Sequence, residues 1–231
     1  MKKPYIKKFK KIGKISCWII DGNYIRTNID EEFTNYGHHY RFNFIPENEF
    51  WIDKESDEGE EGYYICDMLK IMHAIKSGKT YKQAVELGEQ AEKHERAKSM
   101  LAKKAHKKLK IGESLAKFLY KKQLKINSEI KFHIVNGELV RDEFFIDFTE
   151  GGHDKVYHFI PKGEIWIDDD VSKKEISFVL LHEIHERNLM AKGWNYEKAH
   201  ADSSCLEFFY RHHPKQINQI LAREFKKAKN I

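Results

Sequence analysis

Three cysteines in 231 residues, Cys17, Cys66 and Cys205, stand far apart and form no C-x-x-C pair. So sparse and odd a number excludes a disulfide framework and reads as reduced thiols in an intracellular protein. Long hydrophobic runs are also missing. Nothing approaches the roughly 18 apolar residues of a bilayer-spanning helix. The stretch "MKKPYIKKFKKIGK" is basic, without the apolar centre of a signal peptide. Ser203, Ser204 and Cys205 lack the glycine context of a nucleophile elbow, which argues against nucleophilic catalysis. The expectation is a cytoplasmic chain without a membrane partner.

What is present is enough for a core. Hydrophobic residues make up 41% and aromatics 13%, which excludes global disorder. The length allows one large domain or two of roughly 100 residues each. A formal net charge of +5 accompanies 33% charged residues, and the excess is local.

The most informative feature is an internal repeat. "WIIDGNYIRTNIDEEFTNYGHHYRFNFIPENEFWID" (Trp18 to Asp53) aligns without a gap on "HIVNGELVRDEFFIDFTEGGHDKVYHFIPKGEIWID" (His133 to Asp168), at an offset of 115. Gly22 meets Gly137, Arg26 meets Arg141, Gly37-His38 meets Gly152-His153, and Trp51-Ile52-Asp53 meets Trp166-Ile167-Asp168. The same offset pairs Gly78 with Gly193 and Tyr81 with Tyr196. Two copies at this period indicate duplicated domains, since a solenoid needs at least about three shorter repeats.

Each copy predicts the same α+β unit, a small antiparallel sheet followed by two helices. The Asp21-Gly22 and Asn136-Gly137 pairs are hairpin signals. Ser172, with Glu175 three residues on, predicts a capping box opening the first helix. Gly193 predicts its end, and a second helix starts near Asn195. Between the copies, "AEKHERAKSMLAKKAHKKLKIGESLAKFLYKKQLK" (Ala91 to Lys125) is lysine-rich and proline-free, and predicts a long basic helix continuing from Thr80. The resulting division is a basic N-terminal segment at 1–15, a degenerate repeat at 16–92 and a basic helical linker at 93–130. A repeat bearing a metal site at 131–214 and a basic tail at 215–231 complete it. The linker reads first as a solvated connector. Its lysines also predict weak, non-specific attraction to nucleic acid.

The copies serve as controls for each other. Features kept in both, such as the Gly-His and Ile-Pro pairs and the Trp-Ile-Asp strand end, read as fold; His153 reads as a turn histidine bonded to backbone. The segment "FVLLHEIHERNLM" (Phe178 to Met190) differs. Where the second copy has His182, Glu183, His185 and Glu186, the first has Asp67, Met68, Lys70 and Ile71. His200 and Asp202 replace Val85 and Leu87. A polar cluster absent from one copy, on a scaffold present in both, belongs to function.

His182 and Glu186 are four apart and project from one helical face, and His200 lies in the next helix. Two imidazoles and a carboxylate form a known zinc ligand set with a fourth position open, and one Zn2+ per chain is expected. Glu183 would be the general base. His185 is an alternate to Glu186 as ligand. Asp202 would orient His200 or serve as an alternate ligand. Glu207, matched by Glu92, reads as structural. Asp168 to Asp170 and the "RHHP" stretch (Arg211 to Pro214) read as helix-end features.

On "HEIHE", preceded by "GEIWID" and followed by "YEKAH", the second copy resembles the zincin metallopeptidases, in which an edge strand precedes an H-E-x-x-H helix. Here Glu186 occupies the place of the second histidine. The resemblance implies hydrolysis of a peptide or amide bond, with a peptide or protein substrate, His182 as first ligand and Glu183 as base. From another class comes a non-catalytic, metal-containing interaction protein whose basic helix binds nucleic acid or an acidic partner.

Overall fold

The computed structural model describes residues 3–109, 114–124 and 130–228. It is a mixed α+β protein with two four-stranded sheets and, among the described residues, nine α-helices. The chain forms two compact units. The first contains residues 1–25, 33–115 and 138–147; the second contains 26–32, 116–137 and 148–231.

In the first unit, β1 (Tyr5–Ile12), β2 (Ile15–Ile20), β3 (Tyr36–His38) and β4 (Glu49–Asp53) form a sheet of order β1-β2-β4-β3. α1 (Gly22–Asn28) opens in this unit, and α2 (Glu61–Lys76), α3 (Tyr81–Arg96) and α4 (Met100–Leu109) follow. In the second unit, α5 (Ala116–Leu119) precedes β5 (Tyr120–Leu124) and β6 (Lys131–Val135). α6 (Gly137–Glu143) opens here, followed by β7 (Gly151–His153) and β8 (Glu164–Asp168), and the sheet order is β5-β6-β8-β7. α7 (Ile176–Ala191), α8 (Tyr196–His212) and α9 (Ile217–Ala228) complete it. The central pairings match at the offset of 115: Ser16 faces Glu49 and Lys131 faces Glu164, and so on along both strands.

Four expectations are corrected. The sheets are mixed, because β2 and β4, like β6 and β8, run parallel. A parallel pair needs a crossover, so no hairpin forms at Asp21-Gly22 or Asn136-Gly137. Both glycines instead open short helices. The Gly22 N–H donates to Asp53 Oδ1 at 3.1 Å, and a Cβ on Gly22 would fall 1.7 Å from Asp53 Oδ2. At Gly137 a Cβ would fall 2.0 Å from Asp168 Oδ1, while its N–H donates to Asp169 Oδ1 at 3.0 Å. Close approach of a carboxylate to a helix N-terminus, rather than a turn, requires these glycines.

Second, the basic linker is not one helix. α3 stops at Arg96, α4 starts at Met100, and residues 120–124 are the edge strand β5. The linker residues 110–113 and 125–129 lie outside the described residues. Tyr120 explains the strand: its hydroxyl donates to Glu164 Oε2 at 2.9 Å, as does Trp166 Nε1 at 3.0 Å. Tyr5, Glu49 and Trp51 repeat the arrangement on β1. Edge strands dense in lysine resist pairing with other chains, and β1 carries Lys7, Lys8, Lys10 and Lys11 on exposed positions.

Third, α7 starts at Ile176 rather than Ser172, and the Glu175 side chain caps nothing. It is drawn away by Arg211, at 2.5 Å. Fourth, the described part of the C-terminal tail is the end of a 3-10 turn (Pro214–Gln216) and α9, whose Ile217, Leu221 and Ala228 are buried in the second unit's core. The expected ends of α7 and α8 are as read: Gly193 takes φ +93 after α7, and Asn195 accepts from the Lys198 N–H at 3.1 Å.

The near-continuous apolar character of α7 follows from its surroundings. Val179, Leu180, Leu181 and Ile184 pack with Phe132, Ile165, Ile167, Ile217 and Leu221. Burial of each such side chain is worth about 1.5–3 kcal/mol. A helix enclosed by sheet, α8 and α9 leaves little room for water, so its polar residues must find partners inside. Among the described residues no helix is long and apolar enough to cross a membrane.

A candidate metal centre between two helices

α7 and α8 are antiparallel neighbours joined by the tight turn at Gly193, and this brings His200 over the middle turns of α7. His182, Glu186 and His200 offer ligand atoms that all lie within 4.8 Å of one another. His182 Nε2 stands 3.1 Å from His200 Nδ1 and 3.5 Å from Glu186 Oε2, and His200 Nδ1 stands 2.8 Å from that same oxygen. Ligand bonds of about 2.0–2.2 Å give tetrahedral edges of about 3.3–3.6 Å. Of the observed edges the 3.5 Å one is in that range, while those of 3.1 and 2.8 Å are shorter, at hydrogen-bond length, and would open slightly around an ion.

The outer atoms of each group are held from behind. His182 Nδ1 lies 3.0 Å from Glu207 Oε2, and His200 Nε2 lies 3.2 Å from Glu32 Oε2. An ionised carboxylate only accepts, so these ring nitrogens carry the protons. Glu186 Oε2 likewise only accepts, so without a metal His200 Nδ1 carries a proton as well, and the inner nitrogens become lone pairs only when the imidazoles are neutral. His153 holds the other Glu186 oxygen: its Nδ1 accepts from the Lys155 N–H at 3.2 Å, so Nε2–H donates to Glu186 Oε1 at 2.9 Å. The backbone bond expected for His153 is present, and its second nitrogen serves the cluster.

The electrostatics show a site that demands positive charge. Burial opposes protonation of His182, but its hydrogen bonds to Glu186 and Glu207 outweigh it and lift its pKa well above the ordinary value. Hydrogen bonds to Glu186 and Glu32 raise His200 to about 9. Burial works against ionised Glu186, yet its three histidine partners hold it far below the carboxylate range. Glu207 is likewise lowered to about 2, its burial overcome by His182 and Arg211. Without another cation the site retains protons where a ligand set needs lone pairs. A divalent ion would replace them.

Glu183 is different. Burial pushes its pKa up to about 8. One of its oxygens lies within 4.8 Å of ligand atoms of His153 and Glu186. The carboxyl fits because β7 carries Gly151: a Cβ there would lie 3.2 Å from Glu183 Cγ and 3.0 Å from the Trp166 carbonyl oxygen. The strand beside α7 at the sheet edge is β7, whereas "GEIWID" (β8), expected at the edge, is interior.

The alternates turn elsewhere. His185 Nε2 lies 2.8 Å from Asp202 Oδ1, and its Nδ1 sits 3.2 Å from Glu224 Oε2 on α9, at ion-pair distance without hydrogen-bond alignment. Asp202 therefore orients His185, and Glu32 takes the place on His200 for which Asp202 was expected. Asp169 caps α6. Glu207, expected to be structural, both bonds Arg211 at 2.6 Å and holds His182. Its match to Glu92, which bonds Arg96 at 2.8 Å, reveals the first role and conceals the second. No motif marks Glu32.

The matching place in the first unit is filled. Tyr36, at the position of Gly151, donates its hydroxyl toward Asp67 Oδ2 at 3.1 Å and Glu92 Oε2 at 3.4 Å. Asp67 and Glu92 stand where His182 and Glu207 stand in the second repeat. Burial, followed by the charge of Glu92, raises Asp67 to about 8. A neutral acid beside a phenol has no pull on a cation.

Comparisons with protein-family models, with curated proteins and with solved structures find no match.

Proposed function

We propose that the chain is a duplicated α+β unit whose second copy holds one zinc-like divalent ion on His182 Nε2, Glu186 Oε2 and His200 Nδ1, and that it hydrolyses a peptide or amide bond. The observation that carries the metal site is the convergence of these three acceptor atoms while Glu207, His153 and Glu32 fix the far side of each group. Ligating histidines need such outer partners. Burying the groups without a cation would cost several kcal/mol.

Zinc bound there would supply a Lewis acid that brings the pKa of a water to about 7. Glu183 is the proposed general base: burial favours its neutral form, and the positive charge of a bound ion would favour the carboxylate that accepts a proton from water. Gly151 leaves the space beside which the Glu183 side chain sits. The first copy, closed by Tyr36, is then a scaffold without a metal. Cys17, Cys66 and Cys205 are free thiols, which suits a cytoplasmic setting.

Elemental analysis of protein purified without chelators, then loaded with zinc and desalted, tests the reading. The expected result is about one zinc per chain, lost in His182→Ala. No retained metal, or two equivalent sites, would overturn it.

A further inference from the structure

We infer that Glu32, more than 150 residues upstream of His200 in sequence, is a positioning residue that selects the metal-binding tautomer of His200. This rests on the metal reading above and extends it to a segment outside the second repeat.

Two acceptors compete for one ring proton of His200. A neutral imidazole carries a single N–H. Glu186 Oε2, 2.8 Å from His200 Nδ1, would draw the proton to Nδ1 and so occupy the lone pair that ligation requires. Glu32 Oε2, 3.2 Å from Nε2, draws it to the opposite nitrogen. Of the described acceptors, Glu32 is the one that frees Nδ1. Once His200 gives up its second proton, Glu32 keeps the remaining one on Nε2, and the Nδ1 lone pair is left to a metal between Glu186 and His182.

The segment carrying Glu32 is fixed within the second unit. Arg26 is 1% exposed, with its guanidinium 3.4 Å from Glu175 and 3.2 Å from Glu150. The Glu32 N–H donates to Asp30 Oδ1 at 3.0 Å, which shapes the turn that presents the carboxylate. Nothing in the second repeat's own sequence supplies this group; the 115 offset places Asp147 at the corresponding position, in the first unit. The second site is thus completed by residues 26–32.

The test uses the full chain as wild type, Glu32→Ala, Glu32→Gln and, as a neighbour control, Glu31→Ala. Zinc affinity is measured by competition with a chromophoric chelator, and the ligating nitrogen of His200 is read by 15N NMR of the zinc-loaded protein. Glu32→Ala should weaken zinc by about 10–100-fold. Glu32→Gln, whose amide oxygen still accepts, should recover part of that loss, and Glu31→Ala should match wild type. In wild type His200 should ligate through Nδ1 with Nε2–H retained. Wild-type zinc binding with an affinity unchanged in Glu32→Ala and Nδ1 ligation preserved would overturn the role of Glu32 alone. No zinc binding by wild type would overturn the metal reading itself.

Discussion

Replacing Asp67 with asparagine should stabilise the protein as pH rises, and the size of the effect follows from the surroundings of this one carboxyl. Asp67 is 3% exposed on α2, beside Tyr36 and Glu92. Burial raises its pKa from 3.8 to about 8, with the charges of Glu92, Asp147 and Glu89 adding and the Tyr36 hydroxyl opposing. The folded state therefore holds a proton that the unfolded chain releases near its ordinary pKa of about 3.9. The associated stability is fully present below that value and is lost as pH rises through about 8. A rise of roughly four units at about 1.36 kcal/mol each sets an upper bound of about 5–6 kcal/mol. Glu92 lies close enough to share the proton, so a loss of about 2–3 kcal/mol is the working figure. Asparagine keeps the shape and an acceptor for the Tyr36 hydroxyl but has no charge to bury. Urea unfolding of both proteins from about pH 5 to about pH 9 should give curves that nearly coincide at the acid end. The gap should then widen by up to about 1 kcal/mol per pH unit in favour of Asp67→Asn. Parallel curves would refute the reasoning, because they would mean that Asp67 is ionised throughout.

Two further outcomes bear on the second unit and on the lysines. Glu183→Gln should retain the metal and lose hydrolysis, since it removes a proton acceptor but no ligand, whereas His182→Ala should lose both; equal metal loss in the two would make Glu183 a ligand. Reversing the charges of Lys103, Lys104, Lys107 and Lys108 should leave hydrolysis intact. In nucleic-acid titrations the unaltered chain should bind weakly at low salt and not near physiological ionic strength. Tight binding in moderate salt, with a log–log slope of about 0.9 per phosphate neutralised, would move the function to nucleic-acid binding.

What could be read from the sequence is what depends on neighbours along the chain. The four-residue spacing of His182 and Glu186, the stop at Gly193 and the cap at Asn195 are local patterns, each determined by a turn or two of backbone, and the 115-residue offset shows when the chain is laid against itself. Comparing the copies separated the Gly-His pair, which each fold needs because a Cβ on Gly37 or Gly152 would collide with Phe42 or Tyr157, from the cluster unique to one copy. The parallel pairing of β6 with β8 was not legible, because alternation shows which face of a strand is apolar but not which strand lies beside it. Nor was β5, whose lysines imitate a helix and whose place depends on Tyr120 reaching Glu164. The ion-pair partners were hidden for the same reason. Glu207 looks like half of an i,i+4 pair until α8 lies against α7, and Glu32 looks like one surface acid among many. Only packing decides which carboxylate stands behind which imidazole, since that distance is fixed by elements separated by up to 168 residues of chain.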